Sequence, residues 1–228
     1  MILLDIGNTH TRIARNEGET VRILRTIPTA ELTAEMLPDD GPIAAASVCP
    51  SAAERLSSRN VNFIDAGNCR GLVDFSSYTG RLGADRVANT VAAAEYYPLP
   101  ALVIDCGSAI TWEMVNAERK FAGGAIAPGR RLMRAALCRG TAQLPEVEMA
   151  SSLPDGWGFD TAESIRWGVD AGALGMVREL TVRLGSAAGL RSIILTGGDA
   201  GFFAAEFPNW RLAPADFTLQ GVRLAAGG

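Results

Sequence analysis

Short apolar runs separated by turn-forming residues dominate the first hundred positions of the chain. Runs bounded by Gly, Asn or Pro predict buried strands, and apolar residues spaced near 3.6 predict helices. The strands predicted on this basis cover residues 1–6, 11–14, 20–23, 42–48 and 61–64. The predicted helices cover residues 31–36, 51–58 and 83–97. Residues 65–81 are mostly polar and predict a loop.

The same kind of pattern returns after Pro98 and Pro100, which end the third predicted helix. The strands predicted in this second stretch cover residues 101–106, 111–115, 120–125 and 192–195. The predicted helices cover residues 128–139 and about 161–184, and a further helix begins at Asp199. Residues 222–228 show no clear pattern.

One motif occurs twice, at positions a hundred residues apart. Its two copies are DIGNT at residue 5 and DCGSA at residue 105. Each copy ends a predicted buried strand and opens a predicted three-strand meander. We therefore expect an α/β protein with two similar lobes of mixed sheet flanked by helices. The N-terminal lobe would cover residues 1–99 and the C-terminal lobe residues 100–228.

Composition and charge exclude several classes of function. The chain has 228 residues, 48% of them hydrophobic, which is enough for a large core. A net charge of −4 without a Lys/Arg cluster argues against nucleic acid or an anionic membrane as the partner. No apolar run is long enough to span a membrane, and the N-terminal segment turns polar too early for a signal peptide. We therefore expect a cytoplasmic protein.

The scarcity of certain residue types narrows the chemistry further. His10 is the single histidine, which excludes a zinc site built on several histidines of one chain. Lys120 is the single lysine and lies outside any G-x-x-x-x-G-K motif, which excludes a Walker-type phosphate loop. The four cysteines show no C-x-x-C spacing, so we expect free thiols in a reducing compartment.

The first copy of the repeated motif has the residue types that bind a phosphate group. Gly7 lets the chain turn tightly and lets a phosphate approach the backbone. The guanidinium of Arg12 can reach a phosphate oxygen. Asp5 fits beside a phosphate mainly when a divalent cation such as Mg²⁺ lies between them. The alternative interpretation is a plain tight turn whose Asp caps backbone amides, and the second copy of the motif favours the phosphate site. Further donors in this turn are Asn8, Thr9 and Thr11.

Three other segments have the composition of a small-molecule site. Gly83-Ala84-Asp85-Arg86 opens a predicted helix, where a carboxylate could accept a hydroxyl proton and an Arg could bind a carboxylate. The alternative is a helix start with a dipole-stabilising Asp and a solvated Arg. Residues 122–129 contain three glycines and could border a pocket. The glycines of residues 195–199 would allow a base or ribose to approach closely, next to a helix N-terminus.

With these motifs the chain resembles the type III pantothenate kinases of the acetate and sugar kinase, heat-shock chaperone and actin superfamily. The resemblance covers nearly the whole chain, with six motifs in the family's order. They are DIGNT at 5, GADR at 83, DCGSAIT at 105, GGAIAPG at 123, DTAESIRWG at 160 and LTGG at 195. The resemblance implies a ribonuclease H-like or actin-like ATPase fold with a nucleotide in the cleft between the lobes. The implied activity is transfer of the γ-phosphoryl group of ATP to pantothenate, the first step of coenzyme A biosynthesis.

The resemblance also implies roles for individual residues. Asp85 matches the proton acceptor, and Asp105 matches the ligand of a monovalent cation, K⁺ or NH₄⁺. Asp5 would act through Mg²⁺, and the family acts as a homodimer. The implied ATP contacts are Asp5, Ile6, Gly7, Asn8, Thr9, His10, Thr11, Arg12 and Ser108. The implied pantothenate contacts are Gly83, Ala84, Asp85, Arg86 and Thr161.

Some positions depart from the family's pattern. Ser76 stands where the family has a pantothenate-contacting Tyr, and Tyr78 and Phe75 lie nearby in the sequence. This departure leaves open a kinase of the same superfamily that acts on another small alcohol or sugar. A non-catalytic nucleotide-binding accessory factor is a further alternative, against which Asp85 and Asp105 argue.

Overall fold

The computed structural model of the protein describes residues 1–69, 71–186 and 188–227. Its strands are β1 (Ile2–Ile6), β2 (His10–Glu17), β3 (Thr20–Pro28), β4 (Ile43–Ser47), β5 (Val61–Phe63), β6 (Ala101–Cys106), β7 (Ala109–Val115), β8 (Phe121–Pro128), β9 (Ser192–Thr196) and β10 (Arg211–Leu212). Its helices are α1 (Pro50–Glu54), α2 (Ala84–Tyr96), α3 (Arg130–Gly140), α4 (Thr161–Gly185), α5 (Ala200–Glu206) and α6 (Phe217–Ala225).

The strands form two five-stranded sheets with the same strand order. The first sheet runs β3-β2-β1-β4-β5, and the second runs β8-β7-β6-β9-β10. In the first sheet β1 pairs antiparallel with β2 and parallel with β4, so the sheet is mixed. The repeated Asp-x-Gly motif follows β1 in one sheet and β6 in the other, so the two motifs occupy equivalent topological positions. The predicted α/β fold with two similar mixed sheets flanked by helices is confirmed.

By packing, the chain divides into two compact units. The first unit comprises residues 1–101, 113–123 and 214–228, and the second comprises residues 102–112 and 124–213. The predicted lobes are contiguous in sequence, whereas these units are not, since the far end of the β7–β8 hairpin and α6 belong to the first unit. The lobe boundary at residue 99 stays a prediction.

The core of the first unit lies against β1, whose apolar run is buried on both faces. Ile2, Leu4 and Ile6 belong to one apolar cluster, and Leu3 is equally buried. Helices α2 and α6 pack on each other, and α6 also contacts β1 and β4. Gly221 makes this packing possible, because a side chain there would collide with the backbone carbonyl of Ala88 on α2.

The second unit is held together by the packing of α4 and by one buried indole. Trp112 on β7 is fully buried and donates its ring N–H to the hydroxyl of Thr181 on α4 at 3.2 Å. Ile165 and Val169 on α4 form an apolar cluster with Val147, against which residues of α3 pack. These contacts fix α3 and α4 side by side.

The observed elements differ from the predicted ones mainly at their ends. β2 and β3 extend through polar residues to Glu17 and Pro28, because ladder hydrogen bonds between strands need no apolar side chains. In place of the single short helix predicted over residues 31–36, the chain forms two separate 3₁₀ turns, Thr29–Glu31 and Ala34–Met36. Within the described residues, no helix combines the length and the hydropathy that crossing a membrane requires.

Candidate active site

The DIGNT turn lies at the carboxyl end of β1, where the backbone reverses into β2. The N–H of Gly7 donates to the carbonyl of His10 at 3.1 Å. A Cβ at residue 7 would lie 3.1 Å from that carbonyl oxygen, so the turn leaves little space for any larger residue. Asp5 and Arg12 are cross-strand partners, with Arg12 Nη1 3.5 Å from Asp5 Oδ2. The turn therefore has one acidic and one basic side chain at its base.

The predicted ATP contacts in this turn differ in their exposure. Asn8, Thr9 and His10 are exposed at its tip, whereas Ile6 and Thr11 are buried. The hydroxyl of Thr11 lies 2.9 Å from that of Thr29, within the buried part of the molecule. Any contact of Ile6 or Thr11 with a nucleotide would therefore involve the backbone.

Thr29 stabilises this turn, and sequence reasoning missed it. Its hydroxyl donates to the carbonyl of Gly7 at 2.8 Å, and its N–H donates to the carbonyl of Thr9 at 2.9 Å. Thr29 follows β3 directly, beyond the residues predicted as a strand. β3 pairs with β2 as far as Pro28, which lies opposite His10. Recognising this longer pairing could have placed Thr29 beside the turn.

The GADR segment begins α2 and lies close to the same end of the sheet. Gly83 is the N-cap residue, and Asp85 lies in the first helical turn. A Cβ at residue 83 would lie 3.6 Å from Val48 Cγ1, and the N–H of Val48 donates to the carbonyl of Ile6 at 3.1 Å. Val48 thus connects the GADR segment to the DIGNT turn. The DIGNT turn and the GADR segment therefore lie close together within the first unit.

The carboxylate of Asp85 is partly enclosed and has a raised pKa. Burial is the main cause, because it disfavours the charged form. The backbone N–H of Arg86, which donates to Asp85 Oδ1 at 2.7 Å, and the charge of Arg86 oppose this rise. A Cβ at residue 83 would lie 2.7 Å from the same oxygen, so glycine leaves room for this carboxylate. A carboxylate with a raised pKa is a better proton acceptor than an ordinary Asp.

Arg86 is buried rather than solvated, and its partner is a residue that the sequence analysis did not single out. Its Nε donates to Oε1 of Glu113 at 2.8 Å, and Glu113 is completely buried on β7. The guanidinium lies 5.8 Å from the ring centre of Phe121, and Tyr78 packs edge-on against the same ring at 5.5 Å. An acidic residue between Trp112 and Met114 in an apolar strand is the signal that could have identified Glu113.

The second Asp-x-Gly turn lies at the end of β6, within the second unit. The N–H of Gly129, which precedes α3, donates to the carbonyl of Ser108 at 2.9 Å. The N–H of Asp199 donates to the carbonyl of Cys106 at 2.9 Å. Gly197 has φ +95° and lies so close that a Cβ there would collide with the carboxylate of Asp105. Gly129 and Gly197, one from each of the other two glycine motifs, thus lie against the turn that contains Asp105 and the exposed Ser108.

Thr161, the remaining predicted pantothenate contact, is exposed at the start of α4. Asp160 caps this helix by accepting the N–H of Glu163 at 2.8 Å, and Glu163 accepts the N–H of Phe159 at 2.9 Å. Thr161 lines an apolar cavity of about 1240 Å³ between α3 and α4. Phe159, 94% exposed, and Leu132 also line this cavity.

Protein comparisons agree with this arrangement of motifs. The family model for type III pantothenate kinase matches residues 1–183. A type III pantothenate kinase of Akkermansia muciniphila is 32% identical, over 99% of this chain and 98% of the relative. One from Endomicrobium trichonymphae is 33% identical, over 98% of this chain and 97% of the relative.

Solved structures share the fold at low sequence identity. A conserved Baf family protein from Campylobacter jejuni has a TM-score of 0.67 at 21% identity, covering 99% of this chain and 96% of its own. A protein from Sinorhizobium meliloti assigned as a 2-dehydro-3-deoxygalactonokinase has a TM-score of 0.63 at 16% identity, covering 99% and 95%. The chain therefore shares its fold with these proteins. From the family match and these full-length relatives, the chain belongs to the type III pantothenate kinase family, the phosphotransferases that phosphorylate pantothenate with ATP in coenzyme A biosynthesis.

Proposed function

We propose that Asp85 accepts the proton of the primary hydroxyl of pantothenate while that oxygen takes the γ-phosphoryl group of ATP. The observation that carries this proposal is the position of Val48, which bonds to the end of β1 and lies so near Gly83 that a Cβ there would touch it. This supports the proposal because the start of α2, which carries Asp85, is then near the same end of the sheet as the DIGNT turn. Phosphoryl transfer needs positioning and charge neutralisation more than covalent catalysis, and these residues are suited to both tasks.

The DIGNT turn is the proposed site of the ATP phosphates. Its exposed tip offers the backbone N–H groups and side chains of Asn8, Thr9 and His10. Arg12, held by Asp5 at 3.5 Å, would move its guanidinium onto a phosphate oxygen when the nucleotide binds. Ser108, exposed in the second turn, is a further proposed ATP contact.

The residues present fit the ions that this reaction uses. Among the described residues no group of three or more His, Cys, Asp or Glu side chains gathers as a metal site. Mg²⁺ bound to ATP needs few carboxylates, because phosphate oxygens and water complete its shell, and Asp5 would be that carboxylate. Mg²⁺ would supply charge neutralisation at the phosphates. Asp105, which packs against Gly197, would hold a monovalent cation, K⁺ or NH₄⁺, through its carboxylate oxygens.

Pantothenate has a carboxylate, and the GADR segment has a fixed cation to receive it. Glu113 orients the guanidinium of Arg86 from one side, and Phe121 packs against it. Because Tyr78 packs on the same ring, we assign it the aromatic contact that Ser76 cannot make. Gly83, Ala84 and Thr161 complete the proposed pantothenate contacts.

A second copy of the chain is the proposed occupant of the apolar cavity between α3 and α4. Leu132 and Phe159 expose apolar surface there, next to Thr161. Exposed apolar surface of this kind marks protein–protein contacts, and the family resemblance implies a homodimer. Sedimentation equilibrium of the purified chain is expected to give twice the mass of 24.0 kDa. A Phe159→Asp variant is expected to sediment as a monomer.

The Asp85→Asn substitution tests the proposed mechanism directly. Asn keeps the size of the side chain and the oxygen that accepts the Arg86 N–H, but it accepts no proton. We expect kcat for pantothenate to fall by about 10²- to 10⁴-fold, which is the usual contribution of a positioned base. The dissociation constant for ATP, measured by calorimetry, is expected to stay within about twofold.

A matched control is Asp65→Asn, which removes an exposed carboxylate from a loop of the same unit. Turnover that survives in Asp85→Asn would contradict the assignment of the base. A wild-type chain that phosphorylates another small alcohol far better than pantothenate would favour the alternative kinase. ATP binding without any product would favour an accessory factor.

The raised pKa of Asp85 also predicts a pH dependence with a definite sign. Only the ionised carboxylate accepts a proton, so kcat is expected to fall as pH decreases through a pKa above that of an ordinary Asp. The fold favours the protonated form, so the stability that Asp85 contributes at low pH is lost as pH rises through this raised pKa. The Asp85→Asn protein should therefore have a higher Tm than wild type at neutral pH, and the difference should shrink in acid.

A further inference from the structure

A buried group of charged residues connects α3 and α4 outside the proposed catalytic groups. Asp170, in the middle of α4, is fully buried, and its Oδ1 accepts hydrogen bonds from two arginines of α3. Arg130 Nη1 lies 2.9 Å away and Arg134 Nη2 lies 2.7 Å away. Buried charges are costly even when paired, and an apolar group often serves stability equally well. Stability is therefore a weak reason for this arrangement.

Arg130 extends from this buried group to the turn after β9. Its Nε donates to Asp199 Oδ2 at 2.8 Å, and its Nη2 donates to Asp199 Oδ1 at 2.6 Å. This is a two-pronged contact, the strongest geometry available to an Arg–carboxylate pair. The guanidinium also packs on the ring of Phe202, 3.4 Å from its centre. Asp199 is the exposed end of the chain of contacts, with 22% of its side chain exposed.

The same arginine begins the helix that rests on the second Asp-x-Gly turn. Gly129, its neighbour, donates to the carbonyl of Ser108, and Asp199 donates to that of Cys106. The side chain of Arg130 therefore ties the 197–199 turn to the helix whose start rests on the 105–108 turn. The interior of α4 holds the guanidinium in place through Asp170.

We propose that Arg130 is a positioning residue that holds the Gly197–Asp199 turn in the geometry that receives the nucleoside part of ATP. This inference rests on the proposed function, which makes Ser108 of the 105–108 turn an ATP contact. The adjoining 197–199 turn has the glycines that allow a base or ribose to approach closely. Arg130 touches no reacting atom, so it sets the affinity for ATP and leaves the pantothenate contacts of the first unit unchanged. Asp199, with both carboxylate oxygens bonded to Arg130, transmits this constraint to the turn.

Two conservative substitutions test the proposal in the full-length protein. Asp199→Asn keeps the side-chain volume and weakens the two-pronged contact at its exposed end, and Arg130→Lys cannot reach both Asp170 and Asp199. For each, we expect the calorimetric Kd for Mg²⁺ and a non-hydrolysable ATP analogue to rise about tenfold, the worth of one charge-assisted hydrogen bond. The KM for ATP should rise similarly, while KM for pantothenate and kcat stay within about twofold. The Kd of the double variant should be little higher than that of either single variant, because both substitutions act through one contact.

The matched control is Arg131→Lys, at an exposed arginine on the same helix, which should leave all these quantities unchanged. An unchanged Kd for the ATP analogue in Asp199→Asn, with or without a lower Tm, would overturn the proposal. An equal rise of KM for pantothenate and KM for ATP would also overturn it. The calorimetric measurement needs no turnover, so a wild-type chain inactive on pantothenate would refute the proposed function without deciding this inference.

Discussion

The two Asp-x-Gly turns have the same motif but are stabilised in different ways. Residues 7–9 connect β1 to β2, and hydroxyl groups hold this turn from one side through Thr29. Residues 107–108 connect β6 to β7, so the second turn is one residue shorter. Backbone groups hold it, through Gly129 and the 197–199 turn, and a Cβ at residue 129 or 197 would collide with it.

This difference matches two different tasks. The first turn carries an opposite-charge pair, Asp5 and Arg12, and has an exposed tip, which suits binding of an anionic group. The second turn has its carboxylate, Asp105, packed beneath Gly197. Steric fit therefore dominates the second turn, and charge dominates the first. Substitutions that add a side chain should therefore affect the second turn most, and substitutions that remove a charge should affect the first.

The largest effect is expected from Gly197→Ala. Residue 197 has φ +95°, which is unfavourable for any residue with a Cβ. The added methyl would also lie 2.7 Å from the backbone carbonyl of Cys106 and would collide with the Asp105 carboxylate. We expect the free energy of unfolding, from urea denaturation, to fall by about 3 kcal/mol, since strain and overpacking add.

The neighbouring glycine provides the control for this prediction. A Cβ at Gly198 meets no atom within 4 Å. The free energy of unfolding of Gly198→Ala is therefore expected to stay within about 0.5 kcal/mol of the wild-type value. Gly7→Ala should lie between the two, because the carbonyl of His10 is 3.1 Å from the added methyl. Equal stability of the two alanine variants at 197 and 198 would contradict the steric description of the second turn.

Removing charge from the first turn is expected to have a smaller, kinetic effect. In Arg12→Gln the phosphates lose a guanidinium, and we expect KM for ATP to rise about tenfold. Stability should change by less than about 1 kcal/mol, because the Arg12–Asp5 pair is long and partly exposed. The control is Arg22→Gln, which breaks an exposed pair with Glu17 on the same sheet. An unchanged KM for ATP in Arg12→Gln would remove charge as the feature that distinguishes the turns.

Much of the fold could be predicted from the sequence because its buried strands are continuous apolar runs. β1 and β6 are such runs, and the motif after each one indicated the repeated topology. The pattern failed where backbone pairing decides the structure. β3 continues to Pro28 through exposed polar residues, and two-residue β10 is too short for any pattern to register. α6 was missed because its buried set includes Thr218 and Arg223.

The sequence motifs named the candidate site residues, whose roles stay predictions, but not the residues that support them. A motif indicates the residue types that suit a ligand, such as the carboxylate of Asp85, because chemistry restricts those types. Thr29 and Glu113 act by reaching across the fold, and their partners are 22 and 27 residues distant in the chain. Arg86 illustrates the limit, since a helix-start arginine is ordinarily solvated, and here Glu113 and Phe121 enclose it.

The smallest of these effects is expected at Thr29, which is the supporting residue of the first turn. Thr29→Val keeps the shape of the side chain and removes the hydroxyl that donates to Gly7 and pairs with Thr11. The buried carbonyl and hydroxyl lose a partner, and we expect the free energy of unfolding to fall by about 1 kcal/mol. Thr29→Ser retains the hydroxyl, so its free energy of unfolding should fall by less than half as much. If the Val and Ser variants unfold alike in urea, hydroxyl bonding does not hold the first turn, and the contrast with the sterically held second turn is wrong.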